Sequence, residues 1–177
     1  MYEVSQISLI SRYRGVLKKM SDDQLDFITD VGRMGTNYKI IAQQTEILLE
    51  NEDNRDKILS DMRELNSFIR EINSKSTIDK FLNKKKYAGY IKSFEEDLQR
   101  KKESLSAVDY LIKHHKSIIT EHEEELKEYR SQSNLPEEYL DEKHIMRLRQ
   151  YYQDGRAYDY EDAFKLFEEE YGKVQSI

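Results

Sequence analysis

From Ile41 the chain steps through Gln44, Leu48, Asn51, Arg55, Ile58, Met62, Leu65, Ile69 and Ile72, alternating three and four residues. That spacing keeps one narrow stripe along an α-helix, the seam of a coiled coil. A second stripe of the same kind runs through Tyr87, Ile91, Phe94, Leu98, Lys101, Leu105, Val108, Ile112, His115, Ile119, His122, Leu126 and Tyr129. Each stripe is too narrow to close a core by itself and needs a facing helix. Between them lies "NSKSTIDK", residues 73–80, whose polar residues suit a chain reversal. The two stripes therefore predict an antiparallel hairpin.

Facing residues in such a hairpin have a constant sum of positions. One register satisfies both stripes over most of their length. It pairs Ile41 with Ile112, Leu48 with Leu105, Arg55 with Leu98 and Met62 with Ile91. Alternate layers pair Gln44 with Val108, Asn51 with Lys101, Ile58 with Phe94 and Leu65 with Tyr87, and Ile72 with Phe81 closes the end. This register sets His115 opposite Tyr38, His122 opposite Val31, and the turn near 74–78. Each arm of about 50 residues would be roughly 75 Å long at about 1.5 Å per residue.

Composition agrees with long helices. Charged residues make up 36% and hydrophobic residues only 37%, with one Pro and six Gly, so there are few core-formers for a compact globule and few breakers for a loop-rich one. There is no Cys, hence no disulfide framework, thiolate metal site or cysteine nucleophile. No apolar run approaches the ~20 residues of a membrane span. The opening "MYEVSQISLISRYRGVLKK" lacks a basic start followed by an apolar block, so no signal peptide and a cytoplasmic location are expected.

The ends carry their own helical signals. Ile7, Ile10, Tyr13, Val16, Leu17 and Met20 predict an amphipathic helix within residues 1–20. Ser21 and Gln24 form a capping box for the first hairpin arm. Gly32 and Gly35 in that arm mark a bend or a close helix contact. Beyond the hairpin, residues 21–133, Pro136 suits a helix start, with Leu135, Tyr139, Ile145, Leu148 and Tyr152 on its stripe. Gly155 reads as a helix C-cap, and Asp159 as the N-cap of a last helix striped by Tyr160, Ala163, Phe164, Phe167 and Tyr171. Residues 134–177 thus predict a C-terminal helical hairpin. The expected fold class is all-α: a long antiparallel coiled-coil hairpin with a small helical base formed by the N-terminal helix and the C-terminal helical hairpin.

Within that last segment, Gly155-Arg156-Ala157, then Asp162-Ala163, Leu166 and Glu168-Glu169-Glu170, resemble the pattern GRADT-x-x-EA-x-x-L-x-EEE. This pattern occurs near the C-termini of coiled-coil and membrane-attached proteins of Gram-positive bacteria. The match is ungapped and departs at Tyr158 and Asp159, where the family usually has Asp and Thr. The resemblance implies a bacterial source and a helical end module, and implies no activity. Tyr158 and Asp162 also fit the Y-x-x-x-D/E tail of helical-hairpin substrates of specialised Gram-positive secretion systems.

Candidate sites divide into three. His115 and His122 share a face but lie seven residues apart, about 10.5 Å along a helix axis, too far to hold one ion directly. They read as seam histidines, with a metal or pH-switch role as the alternative. Residues 70–102 hold ten Lys or Arg against five acids, whereas residues 134–177 hold eleven acids against six bases. The hairpin tip is therefore basic. Lys75, Lys80, Lys84, Lys85 and Lys86, with Tyr87 and Tyr90 for stacking, form a candidate contact for nucleic-acid phosphates; the plainer reading is a solubilised helix end. Arg156, Tyr160, Phe164 and Phe167 form a second candidate surface on the C-terminal hairpin, with Arg156 paired to local acids as the plainer reading.

No phosphate loop, nucleophile elbow or plausible triad is present, so no enzyme and no cofactor are expected. The expected function is that of a coiled-coil interaction protein: a scaffold, adaptor or inhibitor of a bacterial or mobile-element machine. A nucleic-acid-associated protein working through the basic tip is the alternative, and a secreted hairpin substrate ranks behind it. Ile40, Ile47, Leu49 and Leu59 are apolar residues that one antiparallel partner does not cover, and they predict a homodimer.

Overall fold

The computed structural model describes residues 21–172, so the amphipathic helix expected within residues 1–20 lies outside the described residues. The protein is all-α. In order come α1 (Asp22–Ser74), α2 (Thr77–Leu82), α3 (Lys84–Gln132), a single 3-10 turn (Glu137–Tyr139), α4 (Glu142–Gln153) and α5 (Tyr160–Tyr171). Helix α1 starts at the expected capping box: Gln24 N–H donates to Ser21 Oγ at 3.3 Å, and Ser21 N–H donates to Gln24 Oε1 at 3.2 Å. Two compact units divide the chain, one of residues 42–120, the other of residues up to 41 together with 121 onward.

In the unit of residues 42–120, the α1 and α3 segments form an antiparallel pair. Ile58, Leu98 and Val108 are buried. Leu48, Met62, Leu65, Ile69, Ile72, Tyr87, Ile91, Phe94, Leu105 and Ile112 are half-buried, so both stripes face inward as their spacing requires. The register differs from the sequence expectation. His115 Nδ1 lies 2.6 Å from Gln44 Oε1, six positions beyond Tyr38. Lys101 binds Asp61 at 2.5 Å rather than facing Asn51, whose amide donates back to the Ile47 carbonyl at 2.8 Å. Phe94 stacks on Phe68, with ring centroids 5.8 Å apart, rather than facing Ile58. All three differences run the same way, by six, ten and ten positions, at least about one seven-residue repeat.

The reason is degeneracy. A seam that repeats every seven residues looks nearly the same after sliding by one repeat. Apolar matching alone does not choose between the two. The choice falls to features outside the seam, and the turn is one. The chain does not reverse over 74–78. It takes residues 75–83, because Thr77–Leu82 forms a separate short helix. The expected Ile72–Phe81 layer is absent, and Phe81 stands exposed. Flanking ion pairs, Arg55 with Asp109 at 2.8 Å and Lys116 with Glu52 at 2.8 Å, fit only the observed register. Such exposed pairs are individually weak, but only one of two otherwise similar seams offers them.

The other unit holds the larger core. Phe27, Val31 and Met34 of α1 and Leu126 of α3 pack with Leu135, Tyr139 and Leu140 of the connection. Ile145, Leu148 and Tyr151 of α4, Ala157 of the turn, and Ala163 and Phe167 of α5 complete it. A Cβ at Gly35 would lie 2.8 Å from Arg149 Cδ, so this glycine marks a close approach, whereas Gly32 faces open space.

Two expectations change here. Pro136 does not open a long helix; it precedes the 3-10 turn, and α4 begins only at Glu142. The polar groups that precede Pro136 are already engaged: Ser133 Oγ and Asn134 N–H both donate to Asp30 Oδ2, at 2.6 and 3.3 Å. Asp141 supplies the cap instead, accepting from His144 N–H at 2.8 Å. The stripe of α4 also favours Tyr151, fully buried, over its half-buried neighbour Tyr152.

Candidate functional site

The tip of the hairpin is built around Asp79. Ser76 caps α2 by accepting from Asp79 N–H at 3.2 Å. The Asp79 carboxylate then accepts from Asn83 Nδ2 at 2.8 Å and from the Tyr87 hydroxyl at 2.7 Å. Hydrogen bonding to Asp79, then burial, pushes the Tyr87 phenol above its ordinary pKa. Lys80 Nζ donates to the Asn73 carbonyl, and Lys75 pairs with Glu71 at 3.0 Å. The Asp79 and Lys80 side chains of α2 thus point into the turn.

Its apolar side chains point out. Ile78, Phe81 and Leu82 are 74%, 80% and 75% exposed, the highest values for large hydrophobics among the described residues. This inverts the usual amphipathic order, in which the apolar face is the hidden one. Around them lie Lys84 and Lys85, exposed, and Lys86, whose Nζ sits 5.8 Å from the centroid of the Tyr90 ring. From Lys75 to Lys92 there are six lysines and one acid, Asp79, which is already engaged.

Of the two tyrosines expected to stack on bases, Tyr87 is tied into the turn. Tyr90 is the more exposed, though it lies over Phe94 at 6.4 Å. The sequence reading missed Ile78, Phe81 and Leu82 because it ran the packing of the hairpin through an Ile72–Phe81 layer. The signal was "TIDKFLNKKK", where three apolar residues abut three lysines in a stretch with no facing layer left.

The C-terminal candidates serve their own unit. Residues 154–157 end α4 in a Schellman motif: Gly155 adopts φ 69°, Arg156 N–H donates to the Tyr151 carbonyl at 2.8 Å, and Gly155 N–H donates to the Tyr152 carbonyl at 3.1 Å. Asp159 caps α5, accepting from Asp162 N–H at 2.9 Å. Arg156 donates to Glu170 Oε1 at 2.8 Å and lies over the Tyr151 ring. Arg147 and the Tyr151 hydroxyl donate to Glu170 Oε2. These donors, Arg147 foremost, hold the Glu170 carboxyl down at about 2.

Tyr160 donates to Asp30 Oδ2 at 2.7 Å, and burial followed by that bond pushes its phenol far up. Phe164 stacks on Tyr139 with centroids 4.4 Å apart, and Phe167 is 2% exposed. Of the four residues offered as a C-terminal binding surface, the aromatic ones are thus part of the interior packing, and Arg156 is paired. A groove of about 1130 Å³ lies beside them, lined in part by Asp141, His144, Met146, Arg147 and Tyr171.

The two seam histidines each meet an amide. His122 Nδ1 lies 2.6 Å from Asn37 Oδ1, as His115 does from Gln44. Asn37 also donates to the Arg33 carbonyl, so this buried side chain is satisfied on both ends. Among the described residues no group of three His, Cys, Asp or Glu side chains is arranged to hold a metal ion. No helix among them is long and apolar enough to cross a membrane. No family model matches the chain, and neither a curated protein nor a solved structure matches it.

Proposed function

We propose that the chain is a non-enzymatic coiled-coil interaction protein: a scaffold, adaptor or inhibitor serving a bacterial or mobile-element machine. The observation that carries this reading is the hairpin tip. Asp79 gathers the polar groups inward while Ile78, Phe81 and Leu82 are left in water. Burying a side chain of this size stabilises by about 1.5–3 kcal/mol, so a contact there has a ready driving force. The exposed Lys84, Lys85 and Lys86 beside the tip add selectivity for an acidic counterpart. Self-association belongs to the same reading: Leu49 is 57% exposed and Ile47 is also exposed, consistent with a homodimer along the helix pair.

Photo-crosslinking in cells tests the reading. A benzophenone amino acid placed at Phe81 should give discrete, light-dependent adducts. Lys84→Glu/Lys85→Glu/Lys86→Glu should abolish them. No adduct to protein or lipid, or adducts indifferent to the reversal, would refute a working tip.

One observation favours a second reading, nucleic-acid binding. The lysine cluster sits beside Tyr90, the one tip tyrosine with an exposed ring. Binding of that kind would weaken steeply with salt, in proportion to the phosphate contacts made. A DNA duplex shift assay at low and physiological salt measures it.

A further inference from the structure

We infer that the hairpin tip docks on an anionic lipid bilayer, with Ile78, Phe81 and Leu82 entering the interface and Lys84, Lys85 and Lys86 meeting the headgroups. The inference rests on the interaction reading and names the partner of the same surface.

Three properties of the tip point to this occupant. The exposed side chains are two aliphatic residues and one phenylalanine, and they project from a six-residue helix at a chain reversal. A fluid bilayer accepts such an apolar projection without a preformed complement, and amphipathic segments commonly seat their apolar face about 5–10 Å into it.

Second, the charge is of one sign and lies next to the apolar group. Lys84, Lys85 and Lys86 are consecutive and exposed, and the carboxylate nearest to them in sequence, Asp79, is already engaged. Anionic leaflets attract segments of this composition, each lysine adding to the affinity. Two tips brought together would instead set these lysines against each other. Third, a nucleic acid would use the lysines and Tyr90 but has no place for Ile78 and Leu82. Aliphatic side chains neither stack on bases nor contact phosphates. A bilayer uses both sets.

The chain contains no Trp, so Phe81→Trp introduces a single indole at the tip of the 177-residue chain. The probes are vesicles of equal parts phosphatidylglycerol and phosphatidylcholine, vesicles of phosphatidylcholine alone, and a DNA duplex. The expected result is co-sedimentation with the anionic vesicles, a blue-shifted indole emission and quenching by brominated acyl chains. Binding should fall roughly tenfold or more with Lys84→Glu/Lys85→Glu/Lys86→Glu, and with pure phosphatidylcholine. Ile78→Ser/Leu82→Ser should abolish the spectral shift, with helicity by circular dichroism unchanged because both residues lie outside the packed layers.

Absence of vesicle binding overturns the inference, as does vesicle binding without a spectral shift. Binding to the duplex in place of vesicles overturns it in favour of nucleic acid. A blue shift on raising protein concentration without lipid overturns it in favour of a second copy. If vesicle binding fails while Phe81 still crosslinks in cells to a discrete protein, the lipid assignment falls and the interaction reading stands. If both fail, both fall.

Discussion

The Arg156 guanidinium donates to Glu170 Oε1 at 2.8 Å, across a separation of 14 residues that spans a turn and most of a helix. Glu170 also accepts from Arg147 and from the Tyr151 hydroxyl, so one carboxylate ties α4, the turn and α5 together. Much of the segment from Gly155 to Glu170 thereby acquires a structural role. Gly155 provides the positive φ, Ala157 and Ala163 fit a closed core, and Glu170 receives Arg156.

This arrangement makes acid stability depend on Glu170. Its folded pKa, about 2, lies below its ordinary value of 4.5, so the unfolded chain takes up the proton first as pH falls. The contribution is complete above about 4.5 and is lost as pH drops toward about 2. Thermal melts of the wild type and Glu170→Gln should therefore differ at neutral pH and converge across that window. Curves that stay parallel down to the acid limit would show that the carboxylate charge is irrelevant.

Asn37 is 4% exposed and shares its carbonyl with His122. Removing the imidazole leaves a buried acceptor unmet, which costs about 1–3 kcal/mol. His122→Ala should show that loss in urea denaturation. Asn37→Leu/His122→Leu should recover most of it, since replacing both partners with apolar groups removes the unmet acceptor. A His122→Ala variant as stable as the wild type would mean that water takes the place of the ring.

The register is open to direct measurement, because the native chain has no Cys. Gln44→Cys/His115→Cys should crosslink in high yield with a short bis-maleimide, since these two side chains meet at 2.6 Å. Leu48→Cys/Leu105→Cys, a facing pair only in the register expected from sequence, should crosslink poorly. The reverse ranking would restore the earlier register and with it a shorter turn.

These cases mark what sequence could reach. Spacing by three and four identified both seams, and Ser21, Gly155 and Asp159 announced helix ends through local chemistry that needs no partner. The register was not legible, because the periodicity that reveals a seam also makes it blind to a shift of one repeat. The tip was not legible for a related reason: Ile78 and Phe81 carry the spacing of packed residues, and only the depth of the turn shows that no facing layer remains. Asp30 was also invisible, since its partners Ser133 and Tyr160 are 103 and 130 residues away.

Burial depth, finally, separates two leucines that periodicity treats alike. Leu148 on α4 is fully buried among Phe27, Val31, Ile145 and other members of the larger core. Leu105 on α3 sits on the seam yet remains half-buried, because a two-helix layer leaves its flanks in water. Truncating Leu148 opens a closed cavity, so Leu148→Ala should destabilise by about 2–5 kcal/mol. Leu105→Ala forfeits only part of its transfer free energy and leaves a gap that solvent reaches, so roughly 1–2 kcal/mol is expected. Chemical denaturation of both variants under one set of conditions measures the difference. Equal losses would mean that the flanks of Leu105 are covered in solution, as they would be in a dimer formed along the helix pair. Light scattering on the wild type over a wide concentration range would then show a mass above that of one chain.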